Sequence, residues 1–234
     1  MKQRMDRLVR DARPGWSRTD AERAIAAGRV SCNGRTVLRG DEKADPETDR
    51  ITIDGAEAVA RAARTYMMNK PAGVLSATED RSCTTVLDLL PPELQKLGLS
   101  PAGRLDKDAE GLLILSADGA LVHRIISPKS RVGKCYYLRL RDPAGPDYGE
   151  RMEAGLVIDG GYRCLPARFR PGESPAEGYV TVCEGKFHQV KRMLQALGNE
   201  VIYLKRISVG KLTLPEDLAP GQVREIPEPE KVLF

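Results

Sequence analysis

Residues that metal centres and disulfide frameworks need are scarce in this sequence. It contains two histidines, His123 and His188, which makes a histidine-based metal site unexpected. The cysteines number five, an odd count, and they are widely spaced and never form Cys-x-x-Cys. That spacing argues against a zinc site or a disulfide framework and favours reduced thiols in the cytoplasm.

Long apolar segments and glycine-rich phosphate cradles are absent as well. No run is long enough to span a bilayer, and the N-terminus has no apolar stretch resembling a secretory signal, so we expect no membrane association. Neither Gly-x-Gly-x-x-Gly nor Gly-x-x-x-x-Gly-Lys-Ser/Thr occurs, which leaves the usual dinucleotide and triphosphate sites without support. The 234 residues, 41% hydrophobic and 30% charged, fit one medium globular domain plus a small one.

Positive charge is concentrated at the start of the chain. Residues 1–39 hold ten Lys and Arg against four acids, whereas residues 41–57 hold seven acids against two cations. A basic face confined to one end suggests contact with a polyanion, most often a nucleic acid. A solvated helix surface with paired charges is the alternative, and charge alone does not separate the two.

The first sixty residues predict a small helical and hairpin module. Helices are expected over 4–11 and 19–27, the second opened by a capping box at Thr19. Two short strands, 30–32 and 36–38, flank Asn33-Gly34, which is a strong hairpin signal, and a further strand covers 50–53. Over about residues 4–55 this arrangement resembles the S4 RNA-binding domain. The resemblance implies that four arginines lie against phosphates and supply affinity without reading sequence: Arg18, Arg23, Arg29 and Arg35.

The remainder of the chain mixes strands and helices irregularly. A strand from Tyr66 runs into 69–73, where Lys70 beside Pro71 is expected to present one cation from a rigid turn. Helices are predicted over 84–90 and 118–126, and a strand over 134–140. A helical stripe beginning at Phe187 is interpreted as core. These elements predict an α+β fold with a mixed, largely antiparallel sheet. The domains are expected at 1–58 and 65–234, joined by a linker at 59–64.

One acidic residue stands in an unusual position. Asp106 follows a short predicted strand, with Arg104 two residues before it, Gly111 five residues after it and an apolar run beyond. This pattern places a carboxylate at the lip of a buried sheet, where it can meet a ligand. An ordinary Asx turn between two strands is the competing interpretation.

Four separated segments together resemble the RsuA-type RNA pseudouridine synthases, which pair an S4 module with a catalytic domain. They are 69–73, 103–113, 134–136 and 184–193. The resemblance implies a sheet split by a cleft, with no cofactor and no metal. It implies that Asp106 is the catalytic aspartate, Tyr136 the base-stacking tyrosine and Lys191 the basic partner of the aspartate. The RNA-contacting residues expected in this domain are Arg104, Lys70, Lys186, His188 and Arg192.

The implied chemistry suits a carboxylate. Converting uridine to pseudouridine breaks the bond from the ring nitrogen to ribose, rotates the uracil and joins carbon 5 to the sugar. Asp106 can attack covalently or withdraw a ribose proton, and the sequence leaves both open. A nearby ammonium such as Lys191 would stabilise its charged form.

The favoured function is therefore pseudouridine synthesis in ribosomal RNA, with the small-subunit RNA as target and a monomeric enzyme. Synthesis in large-subunit RNA and a non-catalytic ribosome-assembly factor are the alternatives. A hydrolase of N-glycosides is disfavoured because no second catalytic carboxylate stands out, although Asp108 and Glu110 stay open for that role.

Overall fold

The computed structural model describes residues 2–13, 16–46, 48–58 and 64–227. The chain forms two compact units, one made of residues 1–64 with 91–99 and the other of residues 65–90 with 100–234. Most of the predicted linker, residues 59–63, lies outside the described residues. None of the helices in the described part of the chain is long and apolar enough to cross a membrane.

The first unit is built from short elements around a small apolar core. Its elements are β1 (Gln3–Arg4), α1 (Met5–Ala12), α2 (Arg18–Ala26), β2 (Val30–Cys32), β3 (Arg35–Val37), β4 (Lys43–Ala44), β5 (Ile51–Ile53), β6 (Ala56–Glu57) and α3 (Pro92–Gln95). The strands pair antiparallel in the order β3-β2-β5-β6, and β1 pairs with β4. Met5, Val9, Ile25 and Ile53 are fully or almost fully buried between the two longer helices and the sheet.

Local sequence signals explain the turns of this unit. Asn33 and Gly34 both have positive φ, 51° and 80°, which the tight turn of a two-residue hairpin requires. The predicted hairpin is therefore confirmed. The predicted cap of the second helix is wrong by two residues: Ser17, and not Thr19, is the cap, and its side chain and that of Asp20 form the capping box.

The second unit is organised around one large sheet. Its elements are β7 (Thr65–Lys70), β8 (Ser100–Pro101), β9 (Glu110–Ser116), α4 (Gly119–Ile126), β10 (Lys134–Leu140), α5 (Tyr148–Glu153), β11 (Val157–Ile158), β12 (Tyr162–Arg163), β13 (Arg168–Pro171), β14 (Glu177–Val182), α6 (Gln189–Ala196), β15 (Val201–Val209), β16 (Leu212–Thr213) and β17 (Val223–Glu225). The main strand order is β13-β14-β10-β15-β9-β7-β17, while β16 pairs with β15 and β8 with β9.

Strand direction in this sheet confirms the predicted fold class. Only the pairing of β15 with β9 is parallel among the described strands, and the other pairs are antiparallel. Strand β9 is buried along its apolar run, and α4 covers one face through Leu121 and Ile125. The fold is thus α+β with a mixed, largely antiparallel sheet.

Two helix predictions differ from the structure. Residues 84–90 form turns instead of a helix, because the carboxylate of Asp88 accepts hydrogen bonds from both the amide and the hydroxyl of Thr85 and so stabilises a local turn. Helix α6 begins at Gln189, because His188 has a positive φ of 48°. Phe187 therefore lies outside the helix and is 67% exposed, so its assignment to the core is wrong.

Candidate active site

Asp106 lies in the loop between β8 and β9, not directly after a strand as the sequence predicted. The loop is fixed beside it, because the amide of Leu105 donates to Ser76 Oγ at 3.0 Å and the Ser76 hydroxyl donates to Leu105 O at 3.0 Å. The amide of Ala109 donates to the Asp106 carbonyl at 3.1 Å. The side chain of Asp106 keeps 21% of its surface exposed, so the carboxylate is held in place but reachable.

Gly111 explains how this loop joins the sheet. It has φ +103° and lies opposite Arg206 where β9 runs parallel to β15. A Cβ atom at Gly111 would overlap the carbonyl oxygen of Arg206. Only glycine allows this close approach, and it sets the end of the Asp106 loop directly against β15.

The ammonium of Lys191 lies between two carboxylates. Its Nζ is 3.5 Å from Asp106 Oδ2, and 2.6 and 2.7 Å from the two oxygens of Asp108. The hydrogen bond from Lys191 lowers the pKa of the Asp108 carboxyl below its usual value. His188 approaches the other oxygen of Asp106, with Nε2 at 3.7 Å from Oδ1. The predicted neighbour of Asp106 is thus nearby, although its closer contact is with Asp108.

A cavity of about 650 Å³ opens beside Asp106. Five of the residues singled out in the sequence line it: Arg104, Asp106, Tyr136, Lys186 and His188. Tyr136 lies on β10 with its side chain on the same buried face as Leu138, as the strand alternation predicted. The cavity therefore brings together a carboxylate, an aromatic ring and several cations.

Arg206 is a functional candidate that the sequence did not single out. It lines the cavity but is only 2% exposed. Its guanidinium donates to Leu112 O at 2.7 Å, Arg104 O at 3.4 Å and Tyr136 Oη at 3.4 Å. The two-residue spacing from buried Leu204 was the available signal, since alternate strand residues share a face.

The Arg206 side chain is incompletely satisfied. Its Nη2 is buried without a hydrogen-bond partner among the described residues, and its three acceptors are uncharged. A buried cation without a carboxylate destabilises a fold, so its presence here indicates a role other than stability. Here it joins the loop of Arg104 to the hydroxyl of Tyr136 across the cavity wall.

Two lysines near the cavity are also buried. Lys70 is 0% exposed, and its ammonium donates to the carbonyls of Pro71, Lys107 and Ala109. Burial lowers the pKa of Lys70 to about 8, and burial likewise lowers the pKa of Lys134 to about 8. The expectation that Lys70 presents its charge to RNA is wrong, because the turn faces its ammonium inward.

Other predicted RNA contacts take different positions. Arg192 pairs with Asp159 and donates to the Phe187 carbonyl at 3.2 Å. In the first unit four arginines are exposed, and each has a carboxylate of its own unit nearby: Arg18 with Glu22, Arg23 with Asp20, Arg29 with Asp54 and Arg35 with Glu42. These side chains face solvent, where other anions can compete for them.

Comparisons with known proteins agree with both units. The family model for RNA pseudouridylate synthases matches residues 64–196, and the S4 domain model matches residues 3–51. The chain is 43% identical to the uncharacterized RNA pseudouridine synthase YtzG of Bacillus subtilis, over 97% of this chain and 96% of that protein. It is 39% identical to ribosomal small subunit pseudouridine synthase A of Vibrio cholerae, over 97% of both chains. A crystal structure of a pseudouridylate synthase superposes with a TM-score of 0.71 at 32% identity, covering 99% of both chains.

Proposed function

We propose that this chain, which belongs to the RNA pseudouridylate synthase family, isomerises a uridine of small-subunit ribosomal RNA to pseudouridine, with Asp106 as the catalytic carboxylate. One observation carries the proposal: Asp106 lines the cavity and lies 3.5 Å from the ammonium of Lys191. The cavity volume of about 650 Å³ falls within the range of about 300–1,000 Å³ that small-molecule sites occupy. One nucleotide extruded from an RNA strand fits such a site.

The reaction needs a carboxylate and no net exchange of atoms. The bond between uracil N1 and ribose C1′ breaks, the uracil rotates, and a bond forms between C5 and C1′. The proton lost from C5 is balanced by the proton gained at N1. Asp106 can begin this sequence as a nucleophile at C1′ or as a base toward a ribose proton. Because the isomerisation is redox-neutral, it requires no external oxidant or reductant.

Neighbouring side chains supply the other roles. The Lys191 ammonium lies beside the Asp106 carboxylate at 3.5 Å, and the contact with Asp108 keeps that ammonium in place. The ring of Tyr136 gives the extruded uracil a surface on which to stack. Arg104 is exposed at the cavity and can hold the opened RNA strand.

We assign RNA capture to the N-terminal domain, residues 1–58, and chemistry to residues 65–234. Support for a small-subunit target comes from relatives whose names specify that RNA. We also propose that the enzyme acts in the cytoplasm. We propose a monomer because the site formed by Asp106, Lys191 and Tyr136 is assembled from a loop, a helix and a strand of a single unit. Sedimentation of the purified protein with and without RNA tests the monomer.

The decisive experiment compares two neighbouring carboxylates. Asp106→Asn should abolish pseudouridine formation in ribosomal RNA, because the amide can neither attack C1′ nor take a proton. Asp108→Asn is the matched control: it removes the closer partner of Lys191 and should retain measurable turnover. Pseudouridines are mapped in both ribosomal RNAs from cells carrying each variant.

Other outcomes select the alternatives. Normal turnover by Asp106→Asn would refute the catalytic assignment, and a missing pseudouridine in large-subunit RNA would correct the target. RNA binding without any isomerisation by the wild-type protein would indicate an assembly factor. Release of free uracil from RNA would indicate a hydrolase acting through Asp108 or Glu110.

A further inference from the structure

Phe187 is an exposed aromatic residue at the edge of the cavity. It keeps 67% of its surface exposed, although a large apolar side chain is normally buried when it can be. Its ring stacks on the imidazole of His188, with centroids 3.8 Å apart and planes inclined by 16°. Both residues line the cavity, and His188 Nε2 lies 3.7 Å from the Asp106 carboxylate. Only the imidazole of His188 therefore separates the exposed ring of Phe187 from the carboxylate of Asp106.

Hydrogen bonds of neighbouring residues hold the backbone segment that carries the Phe187 ring. Glu184 is buried and its carboxylate accepts from the Leu165 amide, the Tyr162 hydroxyl and the Gln189 side chain at 2.7–2.8 Å. The hydrogen bond to Glu184 raises the pKa of Tyr162 to about 12. The carbonyl of Phe187 itself accepts from Arg192 Nη1 at 3.2 Å. A ring on a fixed segment loses little conformational entropy when a partner stacks on it.

Two cationic residues line the same cavity as the exposed ring. Lys186 precedes Phe187 in the chain, and its ammonium lies 4.5 Å from the centroid of the Tyr162 ring, while Arg104 is exposed. Aromatic platforms interleaved with positive side chains are typical of surfaces that bind single-stranded nucleic acid, where rings stack on bases and cations attract the backbone. A purely apolar protein partner would not match this charge.

We propose that Phe187, backed by His188, stacks on the RNA base adjacent to the extruded uridine. The inference rests on the proposed function, because extrusion of a uridine leaves its neighbour without a stacking partner on one side. The Phe187 ring would replace that partner and hold the strand open while the uracil occupies the cavity. Phe187 is then a binding residue for the flanking base.

Equilibrium fluorescence can detect this contact without turnover. The probe is an oligoribonucleotide that contains the target uridine and carries 2-aminopurine as the 5′ or the 3′ neighbour of that uridine. It is mixed with Asp106→Asn protein, which should bind RNA without turnover. Stacking on Phe187 should quench the 2-aminopurine at one of the two positions. Adding Phe187→Ala should restore the fluorescence and weaken binding by about tenfold, the order expected for one stacked base. Phe187→Trp should retain both quenching and affinity, whereas Phe187→Leu should not.

Ile202→Ala is the matched control, since Ile202 is also highly exposed but lies on β15 and does not line the cavity. Affinity and quenching unchanged by Phe187→Ala, or changed no more than by Ile202→Ala, would overturn the inference. In active enzyme Phe187→Ala should lower kcat/KM for the same RNA. A wild-type protein that forms no pseudouridine would instead contradict the proposed function, so the two failures are distinguishable.

Discussion

Positive charge is held in two different ways in this molecule. In the first unit, the four arginines expected to lie against phosphates are exposed and lie beside carboxylates: Arg18, Arg23, Arg29, which is 2.6 Å from Asp54, and Arg35, which is 2.7 Å from Glu42. In the second unit three cations at or near the cavity are buried instead, and they donate to uncharged acceptors. Lys70 and Lys134 donate to backbone carbonyls, and Arg206 to two carbonyls and a hydroxyl.

This difference separates attraction from positioning. An exposed ion pair contributes about 0–1 kcal/mol, so its arginine can exchange a carboxylate for a phosphate at little cost. A buried cation cannot move to a new partner, because every acceptor it holds would be left unsatisfied. Exposed arginines should therefore act additively and be screened by salt. Each buried cation should instead have a specific effect that salt does not screen.

Arg206→Lys tests whether a buried cation positions the site, and among the changes considered it should have the largest effect. A lysine keeps the charge, but one ammonium cannot reach Leu112 O, Arg104 O and the Tyr136 hydroxyl together. The resulting displacement of Tyr136 and of the Arg104 loop should lower kcat by up to about 100-fold. Single-turnover kinetics on saturating RNA measures the decrease.

Lys205→Gln serves as the control for Arg206→Lys, because it removes a cation from the other face of the same strand. It should leave kcat unchanged. Thermal unfolding must show that Arg206→Lys is folded at the assay temperature. A folded Arg206→Lys enzyme with wild-type kcat would show that Arg206 does not position the site.

Replacing the four exposed arginines tests the attraction side. The variant Arg18→Gln, Arg23→Gln, Arg29→Gln and Arg35→Gln should weaken RNA binding by about tenfold, and kcat at saturating RNA should not change. The slope of log affinity against log salt should fall by about 0.7–0.9 for each phosphate that the variant no longer neutralises. Filter binding over a range of salt concentrations measures both quantities.

Arg39→Gln is the matched single change for that set. Arg39 is exposed and paired with Asp41 like the others, but it is not among the arginines expected to lie against phosphates. It should leave the salt slope unaltered. If the quadruple variant has an unaltered slope, then these four arginines of the wild-type protein remain paired with their own acids when RNA is bound.

The same contrast determines how much could be read from the sequence. Period and turn signals found β10, α4 and the Asn33-Gly34 hairpin, because those features depend on neighbouring residues. Long-range contacts escaped prediction. Lysine and arginine are usually exposed, and Lys70 and Arg206 can be buried only because carbonyl groups of distant segments accept their hydrogen bonds. Phe187 fits a helical stripe, but the left-handed backbone of His188 ends the stripe before it.

The remaining expected effect concerns stability at alkaline pH, leaves activity aside and isolates one buried cation. Burial lowers the pKa of Lys70 to about 8, below its ordinary value of 10.5, so the unfolded chain binds this proton more strongly than the folded one. Between these two values the free energy of unfolding should rise with pH, by up to about 3 kcal/mol, because the folded state is relieved of a buried charge. Lys70→Met should lack that rise relative to wild type, whereas Lys129→Met, which removes an exposed ammonium, should keep it. Urea unfolding at intervals from pH 7 to about 10.5 measures the three curves. Parallel curves for wild type and Lys70→Met would mean that the three carbonyls fully stabilise the buried ammonium. The difference between exposed, salt-screened cations and buried cations would then depend on Arg206 alone.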